Sequence, residues 1–223
     1  MASKLSKNHH QQRSVRGHIH QTGGHAARPA VAYRQRRRQD EFSSNFSAPE
    51  TWHEPQDRVR TKFIHHAAGE GYVHPVTMDE VRARLAQLPA HLSTGVEVVQ
   101  FSSMTRKRQL FPLYGMQWGP NVYLYPIEAS LTETYLRPPR PEQLIEAQMF
   151  GGKWTQDGQE WKLTWTADSI RDFYLNNVLI HEVGHVNDTR NTNTNKREQY
   201  ANWFATEYGY RASRGRARFG KAK

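Results

Sequence analysis

Five consecutive residues carry the clearest chemistry in this chain: His181-Glu182-Val183-Gly184-His185. On a helix, positions i and i+4 share a face, with Cβ atoms about 5–6 Å apart. Two imidazoles at that spacing can converge on one ion at Zn–N distances of about 2.0–2.1 Å. Glu182 lies one step round the helix, where it meets a water on the metal rather than the metal itself. Zinc lowers the pKa of such a water from about 15.7 towards about 7, and Glu182 then takes its proton as general base. With 12 His and 14 Glu in the chain, random placement yields one HExxH roughly 4% of the time, so its surroundings matter. No charged residue interrupts Asn176 to Ile180, and Val183 and Gly184 are uncharged, so this turn can be buried. The plainer reading is two exposed histidines and a solvated glutamate. It suits these apolar flanks poorly, because buried polar groups need partners.

A catalytic zinc takes three protein ligands and keeps one position for water. The third is expected from the next helix, where Glu198 stands 13 residues after His185 in Glu198-Gln-Tyr-Ala-Asn202-Trp-Phe-Ala205. The alternative for Glu198 is a surface carboxylate favoured by the dipole of a first helical turn. Asn202 shares its face, where it could hydrogen-bond the outer nitrogen of a zinc-bound histidine or orient Glu198. Ala201, Phe204 and Ala205 would form the face packed on the first helix. Asp188 is a rival ligand, but it falls roughly 4–5 Å beyond His185 along the helix axis. Fixing a histidine or ending the helix suits it better. Tyr200, Tyr208 and Tyr210 are near enough in sequence to stabilise an oxyanion, though packing is the commoner use of such tyrosines.

The elements that must position these groups follow from pattern. One helix is expected from about Asp168 to Asp188, capped by Asp168 or Ser169, and a second from about Lys196 to Tyr208, stopping at Gly209. The polar connector Thr189–Asn195 is short enough to make them neighbours. Thr77-Met-Asp-Glu80 has the spacing of a capping box ahead of Val81, Leu85 and Leu88. Gly95–Phe101 reads as a strand, and so does Asn121–Pro126, with Pro126 favouring an edge position for the latter. Trp154, Trp161 and Trp165 fall in or beside a hairpin turning at Gln156-Asp-Gly158, where cross-strand packing accounts for them better than base or sugar stacking.

Val178-Leu-Ile-His181-Glu182-Val-Gly-His185, followed by Glu198-x-x-Ala201-Asn202-x-x-Ala205, resembles the gluzincin type of zinc metallopeptidase, especially its minimal single-domain members. The resemblance covers residues 176–208. It implies that His181, His185 and Glu198 bind Zn2+, that Glu182 is the catalytic base, and that an extended peptide lies along an edge strand beside the active helix. Asn187 departs from it, since many zincins have an apolar residue there. The fold expected is α+β: a small, twisted, mainly antiparallel sheet packed on the HExxH helix and a following C-terminal helix. Asn121–Tyr125 is a candidate for the peptide-binding edge.

Charge is segregated. The chain carries +10 overall. Residues 1–50 hold nine basic and three acidic residues and 211–223 six basic and none acidic, which leaves −2 for the remainder. Residues 1–50 are His- and Arg-rich and nearly free of aliphatic side chains, a composition that predicts a disordered tail, and 211–223 a second one. The folded domain is expected over 51–210. The chain has no cysteine, which excludes disulfides, thiolate zinc sites and cysteine nucleophiles. With no signal-like start and no apolar run of membrane-spanning length, a cytoplasmic location and no membrane partner are expected. These readings converge on a zinc metallopeptidase acting on a peptide or protein substrate. The alternative is a non-catalytic, zinc-stapled binding protein whose basic tails, and only they, contact nucleic acid.

Overall fold

The computed structural model describes residues 48–57, 60–110 and 112–215. The two expected tails therefore lie outside the described residues, apart from 48–50 and 211–215. The architecture mixes small sheets with several helices, as an α+β domain does.

The main sheet has the order β1-β3-β5-β4, from β1 (Lys62–His65), β3 (Val98–Phe101), β5 (Asn121–Leu124) and β4 (Gly115–Trp118). Here the expectation of a mainly antiparallel sheet is corrected. β1 pairs parallel to β3 and β3 parallel to β5, and only β4 runs antiparallel. Between β1 and β3 the chain forms α1 (Met78–Ala86) and α2 (Ala90–Ser93), a crossover that returns β3 parallel to β1. After β3 it forms α3 (Arg106–Leu110) and comes back as the antiparallel β4, and the turn into β5 reverses the direction again, which leaves β5 parallel to β3. The expected antiparallel pairing holds in the smaller sheets, β2 (Tyr72–Val73) with β6 (Ile127–Glu128), and β7 (Thr132–Tyr135) with the hairpin β8 (Lys153–Asp157) and β9 (Glu160–Thr164).

β5 is not an edge strand either. Its four residues are fully buried between β3 and β4. Pro126 lies past its last paired residue, Leu124, so it removes no ladder hydrogen bond. The edges are β1 and β4, and β4 turns back into β5 through Gly119-Pro120, with Gly119 at a φ of 58°. On one face of the sheet, Val99, Phe101, Val122 and Leu124 join the core with residues of the helices. The opposite face is closed by residues 48–57. His53 Nε2 shares a 2.8 Å hydrogen bond with Gln100 Oε1, and Asn121 Nδ2 donates to the His53 carbonyl at 2.8 Å. The Glu97 carboxylate accepts from the backbone N–H groups of Gln56 and Asp57 at 2.7 and 3.0 Å.

The capping box forms as the sequence implies: Glu80 N–H reaches Thr77 Oγ1 and Thr77 N–H reaches the Glu80 carboxylate, starting α1. After α4 (Pro141–Met149) and the hairpin comes the long helical run that carries the motif. It is capped by Thr166, two residues before Asp168, with Ser169 not as the cap but as its capping-box partner. It comprises α5 (Ala167–Phe173), a π-helical segment (Tyr174–Val178) and α6 (Leu179–Asn187). The last helix begins at Thr194 behind an Asn193 cap as α7 (Thr194–Phe204) and continues as a second π-helical segment (Ala205–Arg211).

Gly209 therefore does not end that helix. It lies within the second π segment, where a Cβ would fall 1.9 Å from the Asn176 carbonyl oxygen in the first. The glycine is there for close approach. Buried Arg84 from α1 ties the two segments together, donating to Asn176 Oδ1 at 2.6 Å and to the Tyr208 carbonyl. Burial lowers the Arg84 pKa to about 10, against the nearby charge of Asp172. Further along, Gly184 and Ala201 bring α6 and α7 together: a Cβ on Gly184 would lie 3.1 Å from Ala201 Cα and 3.0 Å from Phe204 Cβ. Ala201, Phe204 and Ala205 are all buried, the face expected of them.

Candidate metal centre

Close helix packing brings three separated side chains together. His181 and His185 are one turn apart on α6, their rings 4.7 Å apart and nearly perpendicular. Glu198, in the second turn of α7, bridges them: Oε2 lies 3.4 Å from His181 Nε2 and Oε1 lies 3.4 Å from His185 Nε2. One donor atom from each residue lies within 4.8 Å of the others. Among the described residues this is the sole cluster of three or more such side chains.

The separation itself is informative. A 3.4 Å contact is longer than an ordinary N–H···O hydrogen bond of about 2.7–3.2 Å. Each histidine meets a different oxygen of the carboxylate, and two ligands bound tetrahedrally at about 2.0–2.1 Å lie about 3.3–3.4 Å apart, so small side-chain adjustments would bring all three residues onto one ion. The donor chemistry also fits zinc: two imidazoles, one carboxylate and no competing protein group, with the Glu198 side chain 39% exposed so that the site meets solvent. Burial would lower the His181 pKa, but the carboxylates of Glu198 and Glu182 outweigh it and hold the group above its ordinary value. Burial would raise Glu198, but the two histidines overcome it and hold the carboxyl well below the usual range.

Glu182 is 7% exposed, and burial pushes its pKa up against the opposing pull of both histidines. A divalent cation beside it would favour the carboxylate again. The backbone N–H of Gln117 on β4 faces this carboxylate and favours its charged form. Gly115, on the same strand, makes the approach possible, since a Cβ there would lie 2.8 Å from Glu182 Oε1 and 2.9 Å from Val178 Cγ1. Arg197 clamps the arrangement from α7. It donates to the His185 and Asp188 carbonyls, each at 3.4 Å, and to Gln117 Oε1 at 3.2 Å.

The other residues singled out by spacing take different places. Asp188 is outside the cluster; its carboxylate accepts from the Asn191 N–H and side chain and the Arg190 N–H, shaping the connector. Asn202 is exposed and makes no hydrogen bond to either histidine, so the support expected of it is absent. His185 Nδ1 is buried and has no partner among the described residues. Asn187 anchors the end of α6, donating to the Leu92 carbonyl at 2.9 Å and the Val183 carbonyl at 2.8 Å. Tyr200 and Tyr208 pack on Phe204 and Tyr210 on Phe150, the packing role weighed above.

Sequence reading missed Gly115, Gln117 and Arg197. The first two had a signal, since Tyr114-Gly-Met-Gln-Trp118 alternates and ends at the turn dipeptide Gly119-Pro120. No family model matches this chain, and no curated protein or solved structure matches it either.

Proposed function

We propose that the protein is a zinc-dependent metallopeptidase in which His181, His185 and Glu198 hold the metal and Glu182 is the general base. The observation that carries this reading is the spacing of the three donors, 3.4 Å from each histidine to the glutamate, with a buried second carboxylate beside them. When bound, Zn2+ supplies a Lewis acid that makes a water acidic near neutral pH and polarises a carbonyl.

The chain's own groups do the rest. Glu182 accepts the proton of the attacking water and delivers it to the leaving amine. The Gln117 N–H faces that carboxylate and favours its charged form. β4 is an edge strand of the main sheet and passes over Glu182 at Gly115, and an extended peptide that adds to it brings its backbone to the base. This role passes from Asn121–Tyr125, which is interior, to Gly115–Trp118.

A purely structural zinc would call for a fourth protein ligand, and the cluster has three among the described residues. The binding-protein alternative rests on the basic ends, nearly all outside the described residues, and no feature of the site favours it.

Replacing Glu182 by Gln keeps the size and hydrogen-bonding reach of the side chain and removes the base. The expected result is unchanged fold and zinc content, with peptide hydrolysis reduced by about a hundredfold or more. Equal turnover of a responsive peptide by the variant would refute the mechanism.

A further inference from the structure

Arg197, the residue just before Glu198, is a cation whose partners are all neutral. It donates to the carbonyls of His185 and Asp188 at 3.4 Å and to Gln117 Oε1 at 3.2 Å, and among the described residues it forms no salt bridge. The Asp188 carboxylate acts on it only from further off, and that group already accepts from the Arg190 N–H and from the Asn191 N–H and side chain. Arg197 is half-buried, yet its Nε–H has no acceptor among the described residues and stays open to solvent. A guanidinium has five N–H donors, and three are in use here.

The edge strand places this cation beside the base. Tyr114 accepts from the Tyr125 N–H at 2.9 Å, so the alternation of the antiparallel pair turns the N–H and C=O groups of Gly115 and Gln117 away from β5. The same two residues meet Glu182, Gly115 by resting on its carboxylate and Gln117 by the N–H that faces it. A peptide added to β4 therefore passes the base at Gly115–Gln117, and the Gln117 side chain reaches from there to Arg197. Strand residues rise about 3.3 Å each, so a charge beside Gln117 meets the substrate within about three residues of the bond attacked. The other end of the site carries the opposite sign, where Glu146 accepts from Asn177 Nδ2 and acts on His181.

We propose that Arg197 is a specificity-determining residue that pairs with a carboxylate of the peptide, close to the cleaved bond. The proposal takes its substrate from the peptidase reading, although the pairing itself needs no turnover. A carboxylate gives the remaining N–H donors a charge-assisted bond, roughly twice as strong as the neutral one a carboxamide gives. Two sources supply that group, an Asp or Glu side chain and the C-terminus of the peptide.

The test uses the full chain loaded with zinc, and alanine-based peptides with one Glu, or Gln in its place, at successive positions. Amidated peptides report the side chain, and the Gln peptides as free acid and as amide report the C-terminus. In the Glu182→Gln chain, calorimetry should show the carboxylate-bearing member of one such pair binding about tenfold or more tighter at low salt. The margin should shrink as salt is raised and vanish in Arg197→Gln. Should that variant fail to fold, the Arg197 Nε–H signal in a 1H–15N spectrum, identified by its loss in Arg197→Lys, still decides. It should move with the carboxylate peptide and stay still with the carboxamide one. Equal binding by every pair, a margin that survives Arg197→Gln, or a signal indifferent to the carboxylate overturns the pairing. In the active chain the same pair should differ by about tenfold or more in kcat/KM. Cleavage without an Arg197-dependent preference removes the pairing and leaves the peptidase. Arg197-dependent binding in a chain that cleaves nothing keeps the pairing and removes the peptidase.

Discussion

In the proposed zinc site, metal affinity rests on a carboxylate that reaches across from another helix. Glu198 has one oxygen within 3.4 Å of each histidine, and the two imidazoles hold its carboxyl well below the ordinary range. Removing it leaves two nitrogens on one helix face. Glu198→Ala is expected to lower zinc affinity by about 100-fold or more, beyond the usual loss from outer contacts, while the far-ultraviolet circular dichroism stays unchanged. Metal content by mass spectrometry after dialysis checks it, and a variant that keeps one zinc per chain would remove Glu198 from the ligand set. Gly115 contributes by lacking a side chain. In Gly115→Ala the new methyl would sit 2.8 Å from Glu182 Oε1, so the base or strand β4 must shift. Peptide hydrolysis should fall by about tenfold or more with zinc content preserved, because small displacements of a reacting group are costly. The HExxH spacing is local and therefore legible in the chain. The contact between Gly115 and Glu182 joins residues 67 positions apart, which no helical or strand periodicity reports.

The π-helical segment Tyr174–Val178 sits immediately before the helix that carries both histidines. One extra residue in a helix rotates everything after it by about 100°, so the face that α6 presents depends on that turn. A regular 3.6-residue pattern from Asp168 to Asp188 places the helix correctly and leaves this rotation out. The matching segment Ala205–Arg211 explains why the last helix passes through Gly209 instead of ending there. With the Asn176 carbonyl oxygen 1.9 Å from where a Cβ would be, Gly209→Ala forces the two helices apart. A cost of about 1–3 kcal/mol or more is expected from such overpacking. Each kcal/mol corresponds to about 2–4 °C in Tm for a domain of this size. Differential scanning calorimetry of the variant measures it, and an unchanged Tm would contradict the close crossing.

Across the whole molecule, the proposed metal site would couple zinc binding to stability, because His181, His185 and Glu198 come together only when the two helices dock. Zinc at 100 times its Kd should stabilise the fold by about 2.7 kcal/mol, or about 5–10 °C in Tm. Chelation should reverse that gain, and Glu198→Ala should abolish most of it. A Tm indifferent to zinc in the parent chain would mean that no ion binds preferentially to the folded form. The same global view explains the missed edge. β3 and β5 are buried on both faces, one by the helices and the other by residues 48–57, so their sequences carry no clean polar alternation to mark inside from outside.

By itself the sequence determined what depends on neighbours along the chain. These are the two histidines one turn apart, the capping box at Thr77, the hairpin around Gly158 and the segregation of positive charge to the ends. Tertiary structure decided what depends on residues distant in sequence. It placed β4 at an edge of the main sheet and drew Glu198 to the histidines through the Gly184–Ala201 crossing. The division has one physical reason. Backbone periodicity and capping act over three or four residues, whereas strand order, helix crossings and cavities arise from packing between segments whose order in space the local pattern does not encode.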